Sequence, residues 1–142
     1  MSTEEGISFF SETDFSLKNE SGVLAWLMAS AKAENKTIGF LNVIFLDDDG
    51  LLAINKEYLK HDYYTDVITF DYNENELVNG EVFISIDRIK ENASELNISF
   101  NNELHRVIIH GLLHLFGYKD KSAEDKQLMR SKEDYYLPLR PF

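Results

Sequence analysis

Two histidines on one predicted helix are the residues best suited to chemistry. His110 and His114 are four residues apart in an apolar stretch, and Gly117 and Asp120 follow them. On an α-helix this spacing corresponds to about 400° of rotation and about 6 Å along the axis, so both imidazole rings share one face. Glycine commonly ends a helix in the left-handed conformation, which lets the chain turn back and brings Asp120 toward the rings. The pattern therefore predicts a metal ion bound by His110, His114 and Asp120.

The metzincin proteases use the same order of residues, with two differences in residue type. Their motif, His-Glu-x-x-His-x-x-Gly-x-x-His, provides a helical histidine pair, a turn at glycine and a third ligand. Here Gly111 stands where zinc peptidases have their glutamate general base, and Asp120 stands where metzincins have the third histidine. The sequence thus predicts a metal-binding helix without the base of a peptidase. Glycine inside a helix costs about 1 kcal/mol relative to alanine, so we expect another backbone or a substrate to approach Gly111 closely.

The alternative is a core helix with two incidental histidines. Residues at helical spacing form an apolar face on this segment: Leu104, Val107, Ile108, Leu112 and Leu115. The glycine turn and the well-spaced carboxylate favour the metal site over this alternative.

The stretch around the histidines resembles the signature of the YbeY family, metal-dependent endoribonucleases of bacterial ribosome maturation. The family pattern is His-Gly-x-Leu-His-Leu-x-Gly-Tyr-Asp-His. The sequence follows it from His110 to Tyr118 and departs at its end, with Lys119 and Asp120 in place of Asp-His. The third ligand implied by the resemblance is therefore Asp120.

Two further blocks resemble the same family. Residues 55–70 resemble Asn-x-x-Tyr-Arg-x-x-Asp-x-Pro-Thr-Asp-Val-Leu-Ser-Phe, but have Leu59 in place of the arginine and Tyr64 in place of the proline. Residues 80–85 resemble Gly-Asp-Ile-x-Ile-Ser. The three blocks follow one another in the family's order.

The resemblance implies an activity and a cofactor. The implied function is that of a single-strand-specific endoribonuclease in 3′-end maturation of small-subunit ribosomal RNA and in ribosome quality control. We expect one zinc ion per chain with a fourth position open to water, which attacks or assists at the phosphodiester. RNA, as ribosomal RNA in the small subunit, is the expected partner, and neither a membrane nor DNA is expected. The sequence does not indicate an oligomeric state.

Asp66 is the candidate for a catalytic carboxylate, because no glutamate follows His110. It assists as a base, orients a ligand histidine from behind, or caps a turn, and the sequence does not separate these three roles.

A phosphate-binding group must replace the family's arginine, since that position is Leu59. Arg106, one turn before His110 on the same helix face, is a catalytic candidate for this role, although it also has Glu103 or Glu57 as an alternative ion-pair partner. The predicted substrate-binding residues are Lys60, His61 and Ser85.

Helices and strands must bring these residues together. β-branched and aromatic runs predict an edge strand at 7–10 and strands at 37–46, 63–72 and 81–86. Helices are predicted at 23–35, 51–60, 87–96 and 122–136, together with the histidine helix, for which Asn101 or Asn102 is the expected cap. Asp87 is the expected cap of the helix that ends at 96, and residues 73–80 are predicted to form a polar loop. These elements predict an α+β fold, a mixed sheet of about four strands packed with helices and a zincin-like metal-binding helix.

Composition restricts the class of protein. A length of 142 residues suits one domain, 1–142. The absence of cysteine excludes disulfides and cysteine-based zinc sites. No apolar run approaches the ~20 residues of a membrane span, and the N-terminus lacks the basic region of a signal peptide, so we expect a cytoplasmic protein.

Net charge is unfavourable for an RNA-binding protein. The chain has 14 Lys and Arg against 25 Asp and Glu, a net charge of −11, whereas nucleic-acid-binding proteins usually present a basic face. Several basic residues lie in or near the two main blocks: Lys56, Lys60, His61, His105, Arg106, Lys119, Lys121, Lys126 and Arg130. A local basic patch around the metal and a set of separate solvated helix faces both account for them.

Two other functions stay open at this point. One is a metal-dependent hydrolase of another substrate, such as a peptide or a small ester, although the missing glutamate argues against a peptidase. The other is a non-catalytic ribosome assembly factor with a structural metal, which Leu59 keeps open. A structural zinc site normally has four protein ligands, and this motif offers three.

Overall fold

A mixed sheet lies at the centre of the structure, a computed structural model that describes residues 6–142. Within those residues it has four strands in the order β1-β2-β4-β3. Strands β1, β2 and β4 are parallel, and β3 is antiparallel to β4. The bounds are β1 Gly6–Ser11, β2 Thr37–Leu46, β3 Val67–Asp71 and β4 Leu77–Ser85. The predicted four-stranded mixed sheet and the edge position of the first strand are confirmed.

Five α-helices cover the two faces of the sheet unequally within the described residues. They are α1 Glu20–Ala33, α2 Asp48–Leu59, α3 Ile86–Leu96, α4 Phe100–Leu115 and α5 Ala123–Tyr136, and a short 3₁₀ turn follows at Leu137–Leu139. Alternate residues of β2 point to opposite faces. Val43 and Phe45 join a core with α1, α3, α4 and α5, whereas Ile44 and Leu46 join a smaller cluster with α2. The α+β prediction is thus confirmed, and no helix in the described part of the chain is long and apolar enough to cross a membrane.

The lengths of β3 and β4 differ from prediction. Strand β3 covers only Val67–Asp71, because the residues from 63 to 66 form no ladder with β4. Strand β4 begins at Leu77, inside the segment predicted as a loop. It pairs with β2 on one side and β3 on the other, and these backbone bonds extend the strand across the polar residues Asn79 and Gly80.

Two helix caps also differ from prediction. The cap of α4 is Ser99, whose side chain accepts a hydrogen bond from the Asn102 amide at 3.1 Å, and not Asn101 or Asn102. The cap of α3 is Ser85, whose hydroxyl accepts from the Arg88 amide, and not Asp87. Each serine precedes its helix and has extended backbone angles, which are the conditions for a side-chain cap.

Gly111 sets the distance between the histidine helix and the sheet. A Cβ atom at this position would lie 2.7 Å from Cγ1 of Val82 on β4. The close neighbour is therefore a side chain of the sheet, and not the backbone or substrate expected from the sequence. Because any larger residue would push α4 away from β4, Gly111 seats the helix that carries both histidines.

Candidate metal centre

Three predicted ligands converge at the C-terminal end of α4. One ligand atom each of His110, His114 and Asp120 lies within 4.8 Å of the others. Oδ2 of Asp120 is 3.2 Å from Nε2 of His114 and 3.4 Å from Nε2 of His110. The side chains are 16%, 23% and 42% exposed in the order His110, His114 and Asp120, so solvent reaches the cluster.

The other nitrogen of each imidazole is bound from behind. Nδ1 of His114 is 3.0 Å from the carbonyl oxygen of Tyr118, and Nδ1 of His110 is 2.6 Å from Oε2 of Glu133. A carbonyl oxygen only accepts hydrogen bonds, so Nδ1 of His114 donates and Nε2 holds the free lone pair. The carboxylate of Glu133 imposes the same arrangement on His110. Both lone pairs therefore point to the space beside Asp120, and this set of two nitrogens and one oxygen fits a zinc ion.

A buried ion-pair network holds Glu133 in place. Arg106 donates from Nε and Nη2 to Glu103 at 2.9 and 2.7 Å, and from Nη1 to Glu133 at 3.2 Å. Both carboxylate side chains are almost fully buried, at 0% and 2% exposure. Burial alone would raise the pKa of Glu133, but its contacts with His110 and Arg106 hold that pKa below the ordinary value. Glu133 is thus an anion with two fixed partners.

Arg106 is engaged by these carboxylates, and one of the two partners considered from the sequence, Glu103, is present. Its guanidinium bridges α4 and α5, which gives it an organising role behind His110.

Glu133 itself was missed by the sequence reasoning. The available signal was an acidic residue on the apolar face of the last helix, four residues after the buried Met129 and three before the buried Tyr136.

The segment that carries Asp120 begins at a left-handed glycine. Gly117 has φ +110°, and the amide of Tyr118 donates to the carbonyl of Leu113 at 3.1 Å, which closes the end of α4. The chain then turns back and reaches Ser122, whose capping box with Asp125 opens α5. The predicted turn at glycine is confirmed.

Asp66 lies just before β3. Its backbone carbonyl accepts from the Ser85 amide at 3.0 Å, and its carboxylate accepts from Nδ2 of Asn92 at 3.3 Å. Burial raises the pKa of Asp66 above its usual value, although the positive charge of Arg106 acts in the opposite direction. The role of orienting a ligand histidine, one of three expected for Asp66, is filled by Glu133 and by Tyr118.

The three predicted substrate-binding residues lie in two different environments. Lys60 and His61 are exposed at the end of α2, where Nζ of Lys60 donates to the Glu57 carbonyl at 3.1 Å. Ser85 is fully buried.

The hydroxyl of Ser85 donates to Oδ1 of Asp48 at 2.7 Å and accepts from the Arg88 amide at 3.2 Å. Ser85 therefore caps α3 and holds Asp48, and these two contacts engage its hydroxyl.

Comparison with known proteins identifies the family. Residues 9–139 match the family model described as Endoribonuclease YbeY. The protein of that name from Flavobacterium psychrophilum is 50% identical over 133 residues, which are 94% of this chain and 95% of that protein. The one from Cytophaga hutchinsonii is 50% identical over 141 residues, 98% of this chain and 99% of that protein. The solution structure of TM1509 from Thermotoga maritima has 31% identity and a TM-score of 0.61, and the match covers 92% of this chain and 85% of that one. The chain belongs to the YbeY family of endoribonucleases.

Proposed function

We propose that this chain is a single-strand-specific endoribonuclease that acts in 3′-end maturation of small-subunit ribosomal RNA and in ribosome quality control, in the cytoplasm. One zinc ion per chain is held by His110, His114 and Asp120. The observation that carries the proposal is the convergence of these three ligand atoms within 4.8 Å in a member of a family of endoribonucleases. Three protein ligands leave a coordination position free, as in catalytic zinc sites.

The surrounding residues determine where the metal acts. When bound, zinc supplies Lewis acidity toward a phosphoryl oxygen and toward water. Glu133 and the carbonyl of Tyr118 hold the two imidazoles so that both Nε2 atoms face one point. Asp120, which is 42% exposed, completes the set on the solvent side, where a phosphodiester can approach. Because these orientations are fixed before substrate binds, little reorganisation is needed during the reaction.

Asp66 is our candidate for accepting and returning a proton. A partly buried carboxyl group with a raised pKa exchanges a proton more readily near neutral pH than an ordinary aspartate does. Asp66 lies near enough to α4 for the charge of Arg106 to act on it. Asp66 thus takes the part that the glutamate plays in zinc peptidases.

Phosphate groups of the RNA need cationic partners outside the ligand set. Arg106 is bound by two carboxylates, so we assign it the orientation of Glu133 and not direct phosphate binding. Lys60 and His61 are exposed and remain our candidates for contacts with the RNA backbone. Exposed Lys119 and Lys121, on either side of Asp120, add positive charge next to the site. This local charge reconciles an RNA substrate with a net charge of −11.

The proposal is tested by measuring zinc content and RNA cleavage on the same samples. We expect about one zinc per chain in the wild type, and loss of both zinc and cleavage in His114→Ala and Asp120→Ala. Asp134→Ala, which removes an exposed carboxylate of α5, is the control and should keep both. Single-stranded RNA should be cut in preference to a duplex of the same sequence.

Three other outcomes of this experiment would lead to different conclusions. If Asp120→Ala keeps its zinc, the third ligand lies elsewhere. If zinc binds but no RNA is cut, the chain is a non-catalytic assembly factor. If peptides or small esters are hydrolysed and RNA is not, the substrate class is wrong.

A further inference from the structure

Two parts of the metal site depend on the short segment between α4 and α5. This segment supplies Asp120, and it supplies the Tyr118 carbonyl that binds Nδ1 of His114 at 3.0 Å. Residues 118–120 belong to no helix or strand. Their position must therefore be set by contacts at the two ends of the segment.

The downstream end is held by the cap of α5. The Ser122 hydroxyl accepts from the Asp125 amide at 3.0 Å, and the Asp125 carboxylate accepts from the Ser122 amide at 3.4 Å. These contacts fix residue 122, two positions after Asp120, but they leave the upstream end free.

The upstream end is held by the Tyr118 amide, which donates to the Leu113 carbonyl at 3.1 Å, and by a side chain from another helix. The hydroxyl of Tyr118 donates to Oε1 of Glu34 at 2.6 Å. Glu34 follows α1 directly, 84 residues away along the chain, and its side chain is 10% exposed. A hydrogen bond to a carboxylate is about twice as strong as one between neutral groups, so this contact is a firm anchor for the segment.

Glu34 is fixed by two further donors on α5. Tyr136 donates its hydroxyl to Oε2 of Glu34, and Nζ of Lys132 lies 3.2 Å from the same oxygen. Partial burial alone would raise the pKa of Glu34, but the two tyrosine hydroxyls and Lys132 outweigh it and lower that pKa. Glu34 is therefore an immobilised anion that faces Tyr118 on one side and α5 on the other.

We propose that Glu34 is a positioning residue of the metal site, and that it acts through the side chain of Tyr118 to place both the carbonyl that orients His114 and the carboxylate of Asp120. The inference rests on the metal site described under the proposed function. Glu34 contacts no ligand itself; it reaches the ligand segment through Tyr118, whereas its other two partners lie on α5, the helix that carries Glu133.

The chain offers a matched pair of variants that separates this role from general stability. Tyr118→Phe and Tyr136→Phe each remove one hydroxyl and one hydrogen bond to Glu34. Both variants should lose a similar amount of stability. Only Tyr118 lies on the ligand segment, so only Tyr118→Phe should weaken metal binding.

The experiment measures the zinc Kd by chelator competition at one pH, together with urea unfolding of the metal-free proteins. We expect the zinc Kd to rise about tenfold in Tyr118→Phe and to stay within about twofold of the wild type in Tyr136→Phe. Glu34→Ala should weaken zinc binding as Tyr118→Phe does. Because Glu34 acts through Tyr118, the zinc Kd of the double variant should be no higher than that of Glu34→Ala alone.

Equal zinc Kd values in the two phenylalanine variants would overturn the proposal, as would additive effects of Glu34→Ala and Tyr118→Phe. Wild-type protein and His114→Ala serve as references in the same titration. If the wild type binds no zinc, or if His114→Ala binds it as tightly, the metal site itself is wrong. If the references behave as expected and the pair does not differ, only the positioning role fails.

Discussion

Replacing Glu133 tests how much of the metal affinity depends on the orientation of His110. The Glu133 side chain is 2% exposed and contacts Nδ1 of His110 at 2.6 Å and Nη1 of Arg106 at 3.2 Å. Glu133→Ala leaves the His110 N–H without its acceptor, and an unpaired buried donor costs about 1–3 kcal/mol. Breaking a buried ion pair completely costs about 3–5 kcal/mol. Arg106 keeps both hydrogen bonds to Glu103, so the total loss of stability should stay below the sum of that cost and the cost of the unpaired His110 N–H. We expect a loss of about 2–4 kcal/mol in unfolding free energy and a zinc Kd about 10–100-fold higher.

Two variants and two measurements make this prediction specific. Glu133→Gln keeps the shape of the side chain and one acceptor oxygen, so we expect a smaller loss of stability, about 1 kcal/mol, and a rise in zinc Kd of about tenfold. Urea unfolding of the metal-free protein gives the stability, and chelator competition gives the zinc Kd. Asp134→Ala, at the next position on the same helix but exposed, should change neither. A Glu133→Ala protein that is less stable but binds zinc with wild-type affinity would refute the reasoning, because Glu133 would then support only the packing of α5 on α4.

Two further predictions concern stability. Gly111→Ala should destabilise the protein in urea unfolding, because its Cβ would lie 2.7 Å from Cγ1 of Val82. Overpacking of about 1–3 kcal/mol, less the gain of about 1 kcal/mol in helix propensity, gives a net loss of up to about 2 kcal/mol, and a more stable variant would contradict the assigned contact. Burial and the charge of Arg140, which donates to Nδ1 of His105 at 2.8 Å, lower the pKa of His105 from 6.5 to about 4. Between pH 6.5 and about pH 4 the folded state therefore binds fewer protons than the unfolded state. The contribution of His105 to the free energy of unfolding is fully present above pH 6.5 and is lost as the pH falls toward about 4. At pH 5 the loss relative to pH 7.5 should be about 2 kcal/mol larger in the wild type than in His105→Gln, and equal losses would show that His105 does not titrate in this way.

The convergence of His110, His114 and Asp120 could be predicted from sequence because it depends mainly on local geometry. His110 and His114 belong to one helix, and helix periodicity alone puts their rings on one face. Gly117 has the positive φ that its residue type suggests, and the chain does turn there. Asp120 lies near the two rings because the segment between Gly117 and Asp120 is short and allows few backbone conformations. All of these relations join residues that are close in the sequence, so the sequence pattern alone can predict them.

The residues behind the ligands were not predicted because they come from distant parts of the chain. Glu133 meets His110 only after α5 packs on α4, and Glu34 meets Tyr118 only after α1 packs beside both. A pattern of residue types along one helix does not determine which buried carboxylate will lie opposite a given histidine. The same limit explains Gly111, whose close neighbour Val82 is on a strand.

These orienting contacts bear on whether the site is catalytic or structural. A structural zinc site is closed by four protein ligands, and the metal supplies folding energy. Within the described residues, the group that can hold a metal has three members, all partly exposed to solvent. The fold has a buried core of its own on the face of the sheet that α1, α3, α4 and α5 cover. The Nδ1 atoms of His110 and His114 are bound by protein acceptors, so the ligands owe their orientation to the protein and not to the metal. An open set of ligands, oriented in advance on a fold with its own core, is the arrangement expected of a metal that reacts with a substrate.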